Sequence, residues 1–374
     1  MISCELFYQT LKNSGIEFFA GVPDSLLKNF CFYIADHVGP QNHVICANEG
    51  SAVALASGYH LATGKIPAVY LQNSGTGNMI NPLTSLCDNE VYSIPTLLII
   101  GWRGEPGVKD EPQHKKQGRI MTELLDALEI PYGILEPTSD PQSVVQKALV
   151  SLKEKSCPYA ILVRGDTFDD YKFQGKEKNP YVMSREDAIE EILKCVNPKD
   201  AVIATTGKTS RELYELRKKR GETNRADFLT VGSMGHTSQI ALGVALEQKN
   251  RKVYCIDGDG SLLMHMGGMA TIGALAPSNL IHIVINNGAH ESVGGQGTGA
   301  FKIDLPAIAK ATNYKTAACV VDSANLTQAL QALEKNEGPH FLEVRTKQGS
   351  RPELGRPKST PLENKQQFMK ALDA

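Results

Sequence analysis

The sequence is poor in the features that would assign its class at once. No hydrophobic run approaches the length of about 20 residues needed to cross a bilayer. The first residues, Met1-Ile2-Ser3-Cys4-Glu5, lack a basic stretch followed by an apolar one, so no secretory signal is expected. Charge of one sign is also missing. The 39 Lys and Arg face 41 Asp and Glu, and a formal net charge of -2 offers no bulk basic field to nucleic acid or a membrane surface. Eight cysteines occur without one Cys-x-x-Cys pair, and several sit inside apolar runs. Reduced thiols in a cytoplasmic protein are therefore expected rather than a disulfide or zinc framework. Hydrophobic residues at 41% and charged residues at 21% are ordinary for a globular chain. A length of 374 residues can bury a core without staples and suggests two domains.

What is present is alternation. Short apolar runs at 18–22, 43–46, 68–72, 96–100 and 160–163, then at 201–204, 228–231, 253–256, 281–285 and 341–344, read as strands buried on both faces. Amphipathic stretches between them, such as 52–61 and 188–196, read as helices, and the alternation predicts an α/β chain with parallel sheets. The polar segment 166–180 reads as a linker. Ser184, with Asp187 three residues on, reads as the N-cap of the helix that follows. These signals place a boundary near residue 175 and predict two doubly wound domains, 1–175 and 176–374. No sequence repeat links them, and the tail after Lys347, rich in Arg, Lys and Pro, is expected to be irregular.

Two polar clusters stand at carboxyl ends of expected strands, where open α/β sheets bind ligands. Gly258-Asp259-Gly260-Ser261 follows one strand and Asn286-Asn287 follows the next. Small glycines let a backbone approach a phosphate, and a following helix offers free N–H groups. A carboxylate and an amide oxygen are hard ligands suited to Mg²⁺. Either cluster alone is an ordinary tight turn. Their combination, with Asp259 and Asn287 28 positions apart, is far more specific.

The combination resembles the signature of thiamine-diphosphate (ThDP) enzymes. That resemblance implies that Asp259, the Asn287 side chain and the Ala289 carbonyl hold Mg²⁺, with Gly260 and Ser261 at the diphosphate. This chain has Gly288-Ala289 where relatives often have Asp-Gly; a carbonyl ligand needs no particular side chain. By the same resemblance Thr206 and Gly207, in Thr205-Thr206-Gly207, contact the diphosphate. Met234 wedges beneath the bent cofactor, and the Gly232 carbonyl accepts from its aminopyrimidine. Glu49, in Ala47-Asn48-Glu49-Gly50 ahead of an Ala-rich helix, is the carboxylate expected to bond the pyrimidine ring nitrogen. A solvated helix-start carboxylate is the plain alternative.

The resemblance is closest to the phosphonopyruvate and sulfopyruvate decarboxylase branch of that family. It is carried by Gly21-Val22-Pro23-Asp24-Ser25, Gln72-Asn73-Ser74-Gly75, Asn78 to Leu83, Gly101-Trp102-Arg103-Gly104, Asp110 to His114, and Ser233-Met234-Gly235-His236. It implies pyrimidine-type (1–175) and diphosphate-type (176–374) domains with no central third domain. It also implies a homodimer or larger, with each site shared between subunits, and an anionic 2-oxo acid substrate. Such a substrate calls for cations and donors near the reacting carbon, and Arg103, Lys115, His236 and His290 are the expected ones. Lys109, Lys115 and Lys116 read equally well as solvated charges, and Arg351, Arg356 and Lys358 as a solvated tail. Asp24, Ser25 and His114 are expected to move protons. The resemblance implies a phosphonate as the substrate's anionic group, with a sulfonate or a broader range of 2-oxo acids as the alternative. A catalytically silent phosphate-binding protein would need neither Glu49 nor Met234.

Overall fold

Runs of apolar residues become central strands because both of their faces are covered. The computed structural model describes residues 1–175 and 179–373; residues 176–178, part of the expected linker, and 374 lie outside them. By contacts the chain divides into two units, Met1–Lys176 and Glu177–Ala374.

The first unit holds β1 (Phe19–Gly21), β2 (His43–Ile45), β3 (Ala68–Gln72), β4 (Leu97–Gly101), β5 (Tyr132–Leu135) and β6 (Tyr159–Val163). They form one all-parallel sheet in the order β2-β1-β3-β4-β6-β5. Alternate side chains feed opposite cores. Tyr70, Leu97 and Ile99 join Phe7, Phe30 and Phe168 on one face. Val69, Leu71, Leu98 and Ile100 join Ala52, Val53 and Met121 on the other. This period-two split explains why the runs read as continuously hydrophobic.

The second unit repeats the plan with β7 (Ala201–Ala204), β8 (Asp227–Leu229), β9 (Val253–Gly258), β10 (Leu280–Asn286), β11 (Thr316–Val320) and β12 (His340–Arg345). Its order is β11-β12-β10-β9-β7-β8, again parallel throughout. Read from the opposite edge this is β8-β7-β9-β10-β12-β11, the first sheet's order shifted by six strands. Each unit therefore reverses its strand order once, between β1 and β3 and between β7 and β9, and that reversal opens the crevice where such sheets bind ligands.

Three expectations change. The fifth strand of each sheet, β5 and β11, was not expected from the sequence. The tail is not wholly irregular: Pro361–Leu372 is a helix, started by a capping box in which Thr360 and Glu363 satisfy each other's backbone N–H groups. Phe368 packs that helix on Phe228 beside β8. The described part of segment 166–180 is also docked rather than loose. Phe168 stacks on Phe30, Phe173 stacks on Phe32, and the Gln174 and Gly175 N–H groups donate to Asp36. The capping box of Ser184 and Asp187 forms as the spacing predicted.

Candidate active site

In the first unit the chemistry gathers beyond the carboxyl ends of β1 to β4. Helix Glu49–Thr63 starts directly after β2, with Asn48 accepting from the Ser51 N–H as its cap. Glu49 is its first residue and is 5% exposed. Its Oε2 accepts from Asn78 Nδ2 at 2.7 Å. A methyl group on Gly75 would sit 2.1 Å from Glu49 Oε1, so the chain after β3 presses directly on this carboxylate. Burial raises the proton affinity of Glu49, and the Asn78 hydrogen bond only partly opposes it.

Asp24 is fully buried, and its oxygens are committed. Oδ2 accepts from the Leu26 and Leu27 N–H groups, and Oδ1 accepts from Gln72 Nε2 at 2.6 Å. Expected as a proton-transfer group, it closes the turn after β1 and braces β3 through these bonds. Ser25, Arg103 and His114 meet around Asp110, which carried the resemblance without an expected role. Arg103 donates to it through Nε (2.8 Å) and Nη2 (2.5 Å), while Arg103 Nη1 donates to Ser25 Oγ at 2.7 Å. His114 Nδ1 lies 3.0 Å from Asp110 Oδ1, and the Gly104 and Glu111 N–H groups donate to the same carboxylate. Burial pushes the Asp110 carboxyl up, but these bonds outweigh it and hold it well below the usual carboxylate range. The Arg103 charge, expected for substrate, is thus already matched. Asn73 clamps the Arg103 backbone, donating to its carbonyl and accepting its N–H. Lys109, Lys115 and Lys116 are exposed.

In the second unit the site follows β7, β9 and β10. Ser261 joins three of its segments: its Oγ lies 3.2 Å from Thr205 Oγ1 and accepts from the Gly235 N–H at 3.1 Å. Gly207 has φ +90°, and a methyl group there would lie 2.6 Å from Ser292 Oγ, so a side chain is excluded where the turn must pass. Above Gly260 two side chains converge; a methyl group there would sit 3.1 Å from the His290 ring and 3.3 Å from Met234 Cε. Met234 is half-buried beside the turn, and burial lowers His290 to about 4, which leaves it neutral. His236 is exposed and packs against His265, ring centroids 4.4 Å apart. Gly232 lies in the same loop after β8. The helix after Gly258 is short, Asp259–Met264, and the next begins at Gly268.

Asp259 is buried, and its Oδ2 accepts from the Thr298 hydroxyl at 2.5 Å. Burial raises it to about 6, since no cationic side chain among its described contacts offsets the lost hydration. Asn287 Oδ1 accepts from the Ala289 N–H, and its Nδ2 donates to Glu291 Oε2 at 2.6 Å. Glu291 is held by Arg185, whose guanidinium also forms a two-pronged pair with Glu212 at 2.6 and 2.7 Å. A buried carboxylate without a countercharge, an amide oxygen and the Ala289 carbonyl are hard oxygen donors of the kind a divalent cation takes. A buried trio, Cys255, Asp257 and His282, lies on the neighbouring strands β9 and β10. Asp257 Oδ1 accepts from the Gly258 N–H, Oδ2 lies 3.6 Å from His282 Nε2, and His282 Nδ1 faces the Tyr314 hydroxyl at 3.0 Å. Arg351, in the tail, pairs with Glu186 and Glu215 on the surface of this unit.

Thr298 and Glu291 carry no spacing signal, and Asp110 stood in a motif that carried the resemblance without pointing to its role. Asn78 stood inside a quoted motif, and its amide side chain near an expected buried carboxylate was the available clue.

Two family models match separate stretches of the chain. The family described as "Thiamine pyrophosphate enzyme, N-terminal TPP binding domain" matches residues 3–130. That described as "Thiamine pyrophosphate enzyme, C-terminal TPP binding domain" matches residues 205–344. The chain is similar to a phosphonopyruvate decarboxylase of Streptomyces viridochromogenes, 36% identical over 374 residues that cover 96% of this chain and 92% of the relative. A phosphonopyruvate decarboxylase of Streptomyces hygroscopicus is 35% identical, covering 98% and 93%. A sulfopyruvate decarboxylase of Methanosarcina acetivorans is 28% identical, covering 99% and 97%.

Proposed function

The chain belongs to the thiamine pyrophosphate enzyme family, among the relatives of the phosphonopyruvate decarboxylases, and from that membership we propose that it converts 3-phosphonopyruvate to phosphonoacetaldehyde and CO2. The observation that carries this reading is Glu49: a buried carboxylate of raised proton affinity at a helix start, pressed by Gly75 and oriented by Asn78. A phosphate-binding protein without chemistry has no use for such a group.

ThDP, when bound, supplies a carbon nucleophile and accepts the electron pair released with CO2. In this reading Glu49 holds a proton at the cofactor's pyrimidine nitrogen. Asp259, Asn287 and the Ala289 carbonyl hold Mg²⁺ at its diphosphate; Thr206, Gly207, Gly260 and Ser261 line the phosphates; Met234 and Gly232 seat the pyrimidine. Ser25 and His114 stand where protons move, and His236, His290 and Lys115 are the remaining groups for the anionic substrate. The pyrimidine-type unit, 1–175, and the diphosphate-type unit, 176–374, serve one cofactor from two copies of a cytoplasmic homodimer or larger assembly.

The relative from Methanosarcina, matched over nearly its whole length, favours sulfopyruvate as the second reading. The test is CO2 release by purified protein with ThDP and Mg²⁺ on phosphonopyruvate, sulfopyruvate and pyruvate in parallel. Fastest turnover of phosphonopyruvate is expected; preference for sulfopyruvate would move the chain to the second reading. Light scattering reads the assembly, and a monomer that is active at every concentration would refute the shared site.

A further inference from the structure

The β4 end and the helix after it are packed so that one imidazole has little freedom. Helix Pro112–Arg119 lies against Gly104 at backbone contact: a methyl group on Gly104 would meet the His114 carbonyl at 2.1 Å, and one on Gly118 would meet the Gly104 carbonyl at 1.9 Å. The Trp102 indole N–H donates to the Gly118 carbonyl at 2.8 Å and pins the far end of that contact. Within this frame the Asp110 carboxylate receives five donors, from Arg103 Nε and Nη2, His114 Nδ1, and the Gly104 and Glu111 N–H groups.

An ionised carboxylate only accepts hydrogen bonds, so the imidazole nitrogen that faces it must carry the proton. With Nδ1–H committed, Nε2 is left as the ring atom that can gain and release a proton. We propose that Asp110 is a positioning residue, which fixes the Nδ1–H form of His114 and ties that ring through Arg103 to Ser25, so that Nε2 is the proton-exchanging atom for a bound 2-oxo acid. The proposal rests on the decarboxylase reading for its kinetic consequence but not for the state of the ring. The proton moves from Nε2 of the imidazolium to the carbon that has lost CO2; solvent replaces it, and no electrons are gained or lost. Asn at position 110 keeps the shape of the side chain. It cannot serve the guanidinium fork and the imidazole together, because one of its two terminal atoms donates.

The experiment is ¹⁵N NMR of histidine-labelled protein, with the His114 signals identified by their loss in His114→Gln. The expected wild-type pattern is a protonated Nδ1 and a bare Nε2, converted toward protonated Nε2 in Asp110→Asn. Protonated Nε2 in the neutral wild-type ring overturns the proposal, and that measurement needs no variant of Asp110 to fold. In kinetics, Asp110→Asn is expected to lower kcat about 10²-fold with little change in KM. The double variant Asp110→Asn/His114→Gln should be no slower than His114→Gln alone; losses that multiply overturn the proposal. If no 2-oxo acid is turned over by the wild type, the function proposed above falls, while the ring spectrum still decides the role of Asp110.

Discussion

Asn78 Nδ2 donates to Glu49 Oε2 at 2.7 Å, and this side-chain bond is what opposes the desolvation of a carboxylate seated at a helix start. The balance still raises the carboxyl's proton affinity above its ordinary value. The stability that Glu49 contributes is therefore complete below the unfolded carboxyl range, about pH 4, and is lost as pH rises through the raised folded value. Glu49→Gln removes that loss. In cofactor-free protein the variant's Tm should exceed that of the wild type by a margin that grows as pH rises above the unfolded carboxyl range. Decarboxylation should fall by at least about 10²-fold while circular dichroism is unchanged. Full activity in the variant would end the assignment of Glu49.

Gly75→Ala tests the same carboxylate from the other side. Its added methyl group would overlap Glu49 Oε1. The expected cost is about 1–3 kcal/mol in urea unfolding. At temperatures where the variant is fully folded, turnover should still be reduced, because Glu49 must move to make room.

Asp259→Ala removes the buried carboxylate of the proposed metal set. Wild-type protein should gain about 2.7 kcal/mol of stability when ThDP and Mg²⁺ stand at 100 times their Kd. The variant should show almost none of that gain by differential scanning calorimetry. A full thermal shift in Asp259→Ala would place the metal elsewhere.

Arg185 stands between Glu212 and Glu291, and Glu291 orients the Asn287 amide. Arg185→Met leaves both carboxylates without their guanidinium, at an expected cost of about 3–5 kcal/mol. Adding Glu212→Leu should recover part of it. The Mg²⁺ requirement of either variant should rise, as read by metal titration of Tm.

The legible part of this chain is the part written in local pattern. Ten strand runs, the Ser184 capping box, and the pairing of Gly258-Asp259-Gly260 with Asn286-Asn287 each carry their signal within a few residues. The two missed strands are edge strands. β5 has four residues, one of them Gly133, and most of β11 is open to solvent, so neither needs a continuous apolar run. The terminal helix had Thr360, Pro361 and Glu363 as a start signal, but the basic and Pro-rich residues before it dominate the composition. Asp110, Glu291 and Thr298 were illegible for a different reason. Each acts on a partner brought to it by loop packing, and no spacing in the sequence encodes that approach.

Asn364 of the terminal helix has a consequence for the rim of the second sheet. Its Oδ1 accepts from the Leu229 N–H, and its Nδ2 donates to the Asp227 carbonyl. One amide side chain thereby imitates a neighbouring strand along β8, the sheet's last strand on that side. An uncovered strand of this kind is a template for pairing with another chain. The terminal helix therefore blocks strand-to-strand pairing along β8. A chain cut before Thr360 would keep every residue of the proposed site and still present an adhesive border.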